Sequence, residues 1–187
     1  MPAFFAMLED RRLLRYIRHG DKDALRRVYE KYEGDLRTLA ANLLHDTATA
    51  EDVVQDVFIG LVRTVPKLHL RRTLRAYLAT AVANRARDHF RKRSRERLAP
   101  IEDADQMAAD MDGPVQIVGD AELVHKLRAA VAELPYEQRE VVMLRVHGGL
   151  KFREIAAHQN TSIKTALSRY QYGLDKLRSM MNGEALK

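Results

Sequence analysis

The sequence predicts an all-α protein: two small helical domains joined by an extended acidic linker, with a helix-turn-helix in the C-terminal domain. Three observations carry this. Apolar residues recur at three- and four-residue spacing almost everywhere, and no stretch alternates apolar and polar cleanly. Glycine and proline are sparse, 9 and 5 in 187 residues, so little interrupts the helical pattern. Between Ala99 and Ala121 the composition changes to six carboxylates with no Lys or Arg, punctuated by Pro100, Gly113, Pro114 and Gly119. Such a segment is expected to be extended and poorly packed. The chain then divides into an N-terminal extension (1–10), a first domain (11–97), the linker (98–120) and a second domain (121–187). The second domain, of about 65 residues, is near the lower size limit for unaided folding.

The elements follow from the pattern. A first helix runs from Asp10 to Arg18. "GDKD" breaks it, and Asp21 or Asp23 can cap the next. From Ala24 to Leu44 the apolar stripe is Leu25, Val28, Tyr29, Tyr32, Leu36, Leu39, Ala40 and Leu43. "HDTATAED" is a turn with Thr49 as cap, and a third helix from Ala50 to Val65 buries Val53, Val54, Val57, Phe58, Leu61 and Val62. Pro66 ends it. The basic loop "PKLHLRRT" leads to a long helix from Leu74 to Arg95. In the second domain a helix from Ala121 to Glu133 stops at "ELP". Pro135 suits the first turn of the next helix, Tyr136 to Val146, which buries Val141, Val142 and Leu144.

"KFREIAAHQNTSIKTALSRY" then reads as two helices broken by a polar hinge. Lys151 to His158 packs Phe152, Ile155 and Ala156 inward. Asn160 tolerates the left-handed conformation that ends a helix, and Thr161 or Ser162 can cap the following one. Helices this close must cross steeply, which pushes the second outward. On a 100° wheel Ile163, Ala166, Leu167, Tyr170, Leu174 and Leu177 form its inner side. Thr165, Ser168, Arg169, Tyr172 and Lys176 face out, with Lys164 at the edge. Hydroxyls and cations without a carboxylate suit base edges and phosphates. A solvated helical corner is the alternative.

Bulk composition narrows the function. Apolar residues make up 46% and charged residues 31%, which excludes disorder for most of the chain. The net charge of +6 suits a polyanionic partner. There is no cysteine, hence no disulfide, thiol-redox or Cys-zinc chemistry. No apolar run approaches the ~18 residues of a membrane helix, and the start lacks a signal-peptide pattern. A soluble, cytoplasmic protein without membrane insertion is expected.

Two further constellations stand out. "NRARDHFRKRSRER", Asn84 to Arg97, holds seven Arg or Lys against Asp88 and Glu96. With Arg71, Arg72 and Arg75 upstream it forms a basic surface able to neutralise several phosphates. A basic helix end that keeps the domain soluble is the other reading. In "AEDVVQDVF", Glu51, Asp52, Gln55 and Asp56 face out together, either as a dock for a basic protein partner or as a solvated face. Glycine-rich phosphate loops, nucleophile elbows and HExxH are all missing, so a binding protein rather than an enzyme is expected, with no cofactor or metal.

In this order the pieces resemble the extracytoplasmic function (ECF) group of bacterial sigma factors, from about Leu13 to Met181. "LLRYIRHGDKDALRRVYEKYEGDLRTLA" resembles the start of that family's first conserved domain. "AEDVVQDVFIGL" resembles its docking helix for core RNA polymerase. "LRAYLATAVANRARDHFRKR" resembles the helix facing the promoter −10 element, and "ELPYEQREVVMLRVHGGLKFREIAAHQNTSIKTALSRYQYGLDKLR" the domain that reads the −35 element. The resemblance implies promoter recognition and DNA melting, with core RNA polymerase, promoter DNA and an anti-sigma factor as partners. It implies polymerase contacts at Asp52, Gln55 and Asp56. Contacts near the −10 element are implied at Arg71, Arg72, Arg75, Asn84, Arg85, Arg87, Arg91 and Lys92. Lys164, Thr165, Ser168, Arg169 and Tyr172 are implied readers of the −35 element. The chain departs from the family at the hinge, usually Leu-Gly-Val and here Gln159-Asn160-Thr161. It also has Tyr77 for a usual Trp, Leu167 for a usual basic residue, and Gln171 and Tyr172 for a usual His/Arg pair. An autonomous operator-binding regulator and a protein-interaction adaptor are the competing functions.

Overall fold

A computed structural model of the chain describes residues 2–70, 72–98 and 121–182, with side chains over 7–70, 72–92 and 122–182. The linker from Ala99 to Asp120 and the basic-loop residue Arg71 lie outside the described residues. The described residues form eight α-helices: α1 Pro2–Arg18, α2 Lys22–Leu44, α3 Thr47–Thr64, α4 Leu74–Leu98, α5 Ala121–Ala132, α6 Tyr136–Val146, α7 Phe152–His158 and α8 Ile163–Met181. One 3-10 turn, Val65–Lys67, follows α3 around Pro66. Among the described residues no helix is long and apolar enough to cross a membrane.

α1 begins at Pro2 rather than Asp10, so "MPAFFAMLED" is helical over most of its length. Asp10 is buried, where it accepts from the Tyr32 hydroxyl and from Lys31 Nζ at 2.8 Å. A lone buried carboxylate would be costly; these donors, one of them charged, offset its desolvation. α2 is capped by Asp21, whose Oδ1 accepts from the backbone of Asp23 and Ala24. It ends at His45 in the left-handed region, with φ of 57°. The next helix starts at Thr47, capped by Asp46; Thr49 is already inside its first turn. An Asp at this position competes better for the free N–H groups than the Thr three residues on.

α2, α3 and α4 pack around Val28, Leu36, Leu39, Leu61, Leu74 and Leu78, all essentially inaccessible. Two members of the expected stripes are not in that core: Tyr29 and Val62 are 37% and 43% exposed. The second domain packs α6, α7 and α8 around Leu144, Leu150 and Ile155. Val146, at the end of α6, is exposed.

The two domains are pressed together, α2 and α4 against α6. Gly148 marks how closely: a Cβ there would lie 2.9 Å from Ala79 Cβ of α4 and 2.7 Å from Leu150 Cδ1. Only a residue without a side chain fits this approach.

Candidate nucleic-acid interface

The hinge folds as the residue types require. Asn160 takes φ of 51°, and Ser162 caps α8 by accepting from the Thr165 backbone N–H at 3.0 Å. The Thr165 hydroxyl lies 2.8 Å from Ser162 Oγ, so it is engaged in the cap. On α8 the buried side is Ala166, Gly173 and Leu177. This rotates the helix relative to the sequence expectation. Ile163 and Leu167, expected inside, are 57% and 39% exposed. Lys164, Gln171 and Tyr172 face solvent, while Thr165, Ser168 and Arg169 are half-buried. Gln171 and Leu167 therefore belong to the outward face. The wheel puts Leu167 inside and leaves Gln171 unplaced because the apolar Ile163 and Leu167 turn its inner side about the axis. Asp175, at the far end, is paired with Arg178 at 3.0 Å.

The basic residues of α4 divide into groups. Asn84, Arg91 and Lys92 are exposed. Arg85 turns toward α3, donating to the Asp56 backbone carbonyl at 3.1 Å and lying 3.7 Å from its carboxylate. Arg75 and Arg87 face the second domain. Arg75 Nε donates to the His147 carbonyl at 2.7 Å, and its Nη2 pairs with Asp35 at 2.9 Å. Arg87 Nη1 donates to the His158 carbonyl at 3.2 Å, and its Nη2 to Glu140 Oε2. Phe90, one turn on, stacks on Tyr136 with ring centroids 4.9 Å apart. Arg72 is half-buried in the loop before α4. Arg18 ties that loop to α1 by donating to the Val65 carbonyl at 2.9 Å and to the Leu68 carbonyl.

Glu140 is the junction of this arrangement. It is fully inaccessible and accepts from Arg87, from Tyr136, from Gln159 at 2.8 Å and from His158 Nε2 at 3.2 Å. Burial alone would raise its pKa. Hydrogen bonds from His158 and Gln159, with the charges of His158 and Arg87, outweigh burial and hold it below the ordinary carboxylate range. Burial likewise works against the Arg87 charge, and the Glu140 carboxylate more than compensates. Beside this junction, burial lowers the His147 pKa more than the Asp35 carboxylate raises it.

On α3, Asp52, Gln55 and Asp56 are all exposed, as expected. Beside them lies an apolar groove between α2 and α3, lined by Leu25, Tyr29, Phe58, Ile59 and Val62, with Lys22 and Arg26 at its rim. Ile59 follows Gln55 by four residues and Asp56 by three. The acidic and apolar residues therefore form one continuous face.

The fold and these surfaces match known proteins. Residues 28–96 match the family described as Sigma-70 region 2, and residues 125–177 that described as Sigma-70, region 4. The chain is 30% identical over 143 residues to the ECF RNA polymerase sigma factor SigD of Mycobacterium bovis, covering 74% of this chain and 68% of the relative. It is 24% identical over 176 residues to the ECF RNA polymerase sigma factor SigW of Bacillus subtilis, covering 90% and 94%. The solved structure of the sigma factor RpoE in complex with the anti-sigma factor NepR from Bartonella quintana superposes with a TM-score of 0.67 at 25% identity, covering 84% of this chain and 96% of that one. The chain belongs to the sigma-70 family, within its ECF group of RNA polymerase sigma factors.

Proposed function

We propose that this sigma factor grips core RNA polymerase through the mixed acidic and apolar face of α3. The α4 surface of Asn84, Arg85, Arg87, Arg91 and Lys92, with the Arg71–Arg72–Arg75 loop, engages the −10 element. Lys164, Thr165, Ser168, Arg169 and Tyr172 of α8, joined by Gln171, read the −35 element. Residues 11–97 and 121–187 act as the two gripping units and 98–120 as the tether. Two DNA-binding units on one chain gain affinity by effective concentration. An anti-sigma factor is proposed as a third partner, by likeness to the RpoE–NepR complex, and the cytoplasm as the place of action.

One observation carries the reading. Both expected DNA-binding helices lie on one chain, and the cations of α4 and α8 reach one buried carboxylate, Arg87 directly and Arg169 through Gln159. In this closed arrangement Arg75 and Arg87 are spent on the second domain, so engaging promoter DNA separates the domains and frees them. In vitro transcription with core polymerase tests the function: initiation at defined start sites is expected. Failure to associate with the enzyme, or association without a directed start, would refute it.

The polymerase face has its own test. Asp52 is a cleaner probe than Asp56, which is paired with Arg85. Asp52→Arg is expected to weaken polymerase binding about tenfold or more, as expected for charge reversal at a complementary interface. Helical content by circular dichroism should be unchanged. Unaltered affinity in a fluorescence titration would remove α3 from the interface.

A further inference from the structure

The hinge residue Gln159 makes three hydrogen bonds with its amide group. Its Nε2 donates to the Glu137 carbonyl at 3.0 Å and to Glu140 Oε2 at 2.8 Å. Its Oε1 accepts from Arg169 Nη1 at 2.8 Å. The amide can sit only one way round. Turned over, its NH2 would face a guanidinium and its oxygen a carbonyl and a carboxylate. The backbone is fixed as well, because the Gln159 N–H donates to the Ile155 carbonyl at 2.9 Å and Asn160 follows in the left-handed region.

Arg169 lies on the flank of α8, half-buried, and among the described residues its hydrogen bond is to Gln159. A guanidinium has five N–H donors in a rigid fork, so one bond to Gln159 leaves others for a ligand. An unrestrained arginine loses rotamer freedom on binding, and a pre-positioned one loses less.

We propose that Gln159, anchored on the buried Glu140, positions Arg169 for base recognition and so sets the sharpness of upstream-element discrimination. Gln159 acts through Arg169 and does not itself touch DNA. The inference rests on the assignment of α8 to the −35 element.

The test is selection of duplexes with a randomised upstream segment by core RNA polymerase carrying the full chain. Wild type is compared with Gln159→Met, Arg169→Ala and the double variant. Methionine keeps the side-chain length and removes both hydrogen-bonding groups. Wild type is expected to prefer one base at one pair about tenfold or more. Arg169→Ala abolishes that preference and leaves the others. Gln159→Met reduces it to about twofold at the same pair, and the double variant is no worse than Arg169→Ala. Gln159→Glu sets a carboxylate oxygen against Glu140 and the Glu137 carbonyl, breaks the anchor and weakens the preference as Gln159→Met does. Full retention by Gln159→Met or Gln159→Glu, or a loss equal on all sequences, overturns the positioning role. In those cases the Arg169→Ala effect survives. An Arg169→Ala variant that keeps every preference instead overturns the Arg169 assignment, and the role of Gln159 with it.

Discussion

Glu140→Ala is expected to destabilise the protein by about 3 kcal/mol, at the lower end of what removing one partner of a buried ion pair costs. The lower end applies because Arg87 keeps 21% of its side-chain surface and can rehydrate in part. Most of the cost falls on donors that Glu140 satisfies, the Tyr136 hydroxyl and one of the two Nε2 hydrogens of Gln159, whose other bond to the Glu137 carbonyl remains. Acid pH should reproduce part of the loss. The Glu140 carboxyl is held below its ordinary range in the folded protein. Its contribution is therefore present above the ordinary carboxylate pKa and is lost as pH falls through the lower, folded value. Urea unfolding at neutral and acid pH measures both effects. Glu140→Gln keeps the shape and should lose the part of the acid dependence that Glu140 supplies. Stability equal to wild type at neutral pH would show that the four donors do not depend on this carboxylate.

The parts of this molecule that were legible in the sequence are those fixed by local chemistry. Helix positions followed from apolar spacing, because each core stripe recurs with the helical period. Asp21, Asn160 and Ser162 do what Asp, Asn and Ser do best at helix ends. The misreadings have physical causes. Thr49, read as the cap from sequence, lies inside the first turn because the Asp46 carboxylate three residues earlier accepts from the free N–H groups. Ile163 and Leu167 look like core on a wheel, yet Gly173 sits against Val142, and that close approach of α8 to α6 turns those two side chains outward. Tyr29 and Val62 obey the period but line a groove at the edge of the α2–α3 contact, which no third helix covers among the described residues. Phe90 is 48% exposed and stacks on Tyr136 across the domain junction, a contact no local pattern announces. Nothing local could show that Arg87 meets Glu140, since 53 residues and the linker separate them. A buried Glu beside a His-Gln pair makes sense only once the domains are seen together.

Arg87→Glu should open the protein. The substitution exchanges the cation that Glu140 accepts from for a second carboxylate facing it. Two like charges about 4 Å apart repel by about 4 kcal/mol at the effective dielectric of a partly buried site, beyond the attraction that is lost. Every 1.4 kcal/mol shifts an equilibrium about tenfold, so the remaining contacts, the Phe90–Tyr136 stack and the Arg75 bonds to His147 and Asp35, are not expected to keep the domains closed. Small-angle X-ray scattering should report a larger radius of gyration than wild type. Arg91→Glu is the control: it makes the same charge change one turn along α4 at an exposed position. That variant should remain as compact as wild type and, on the α4 contact with the −10 element proposed above, bind that DNA less tightly with a shallower salt dependence. If Arg87→Glu scatters like wild type, the Arg87–Glu140 pair does not hold the domains together. If both variants expand alike, repulsion between any added carboxylate and the acidic tether, rather than this pair, governs the closure.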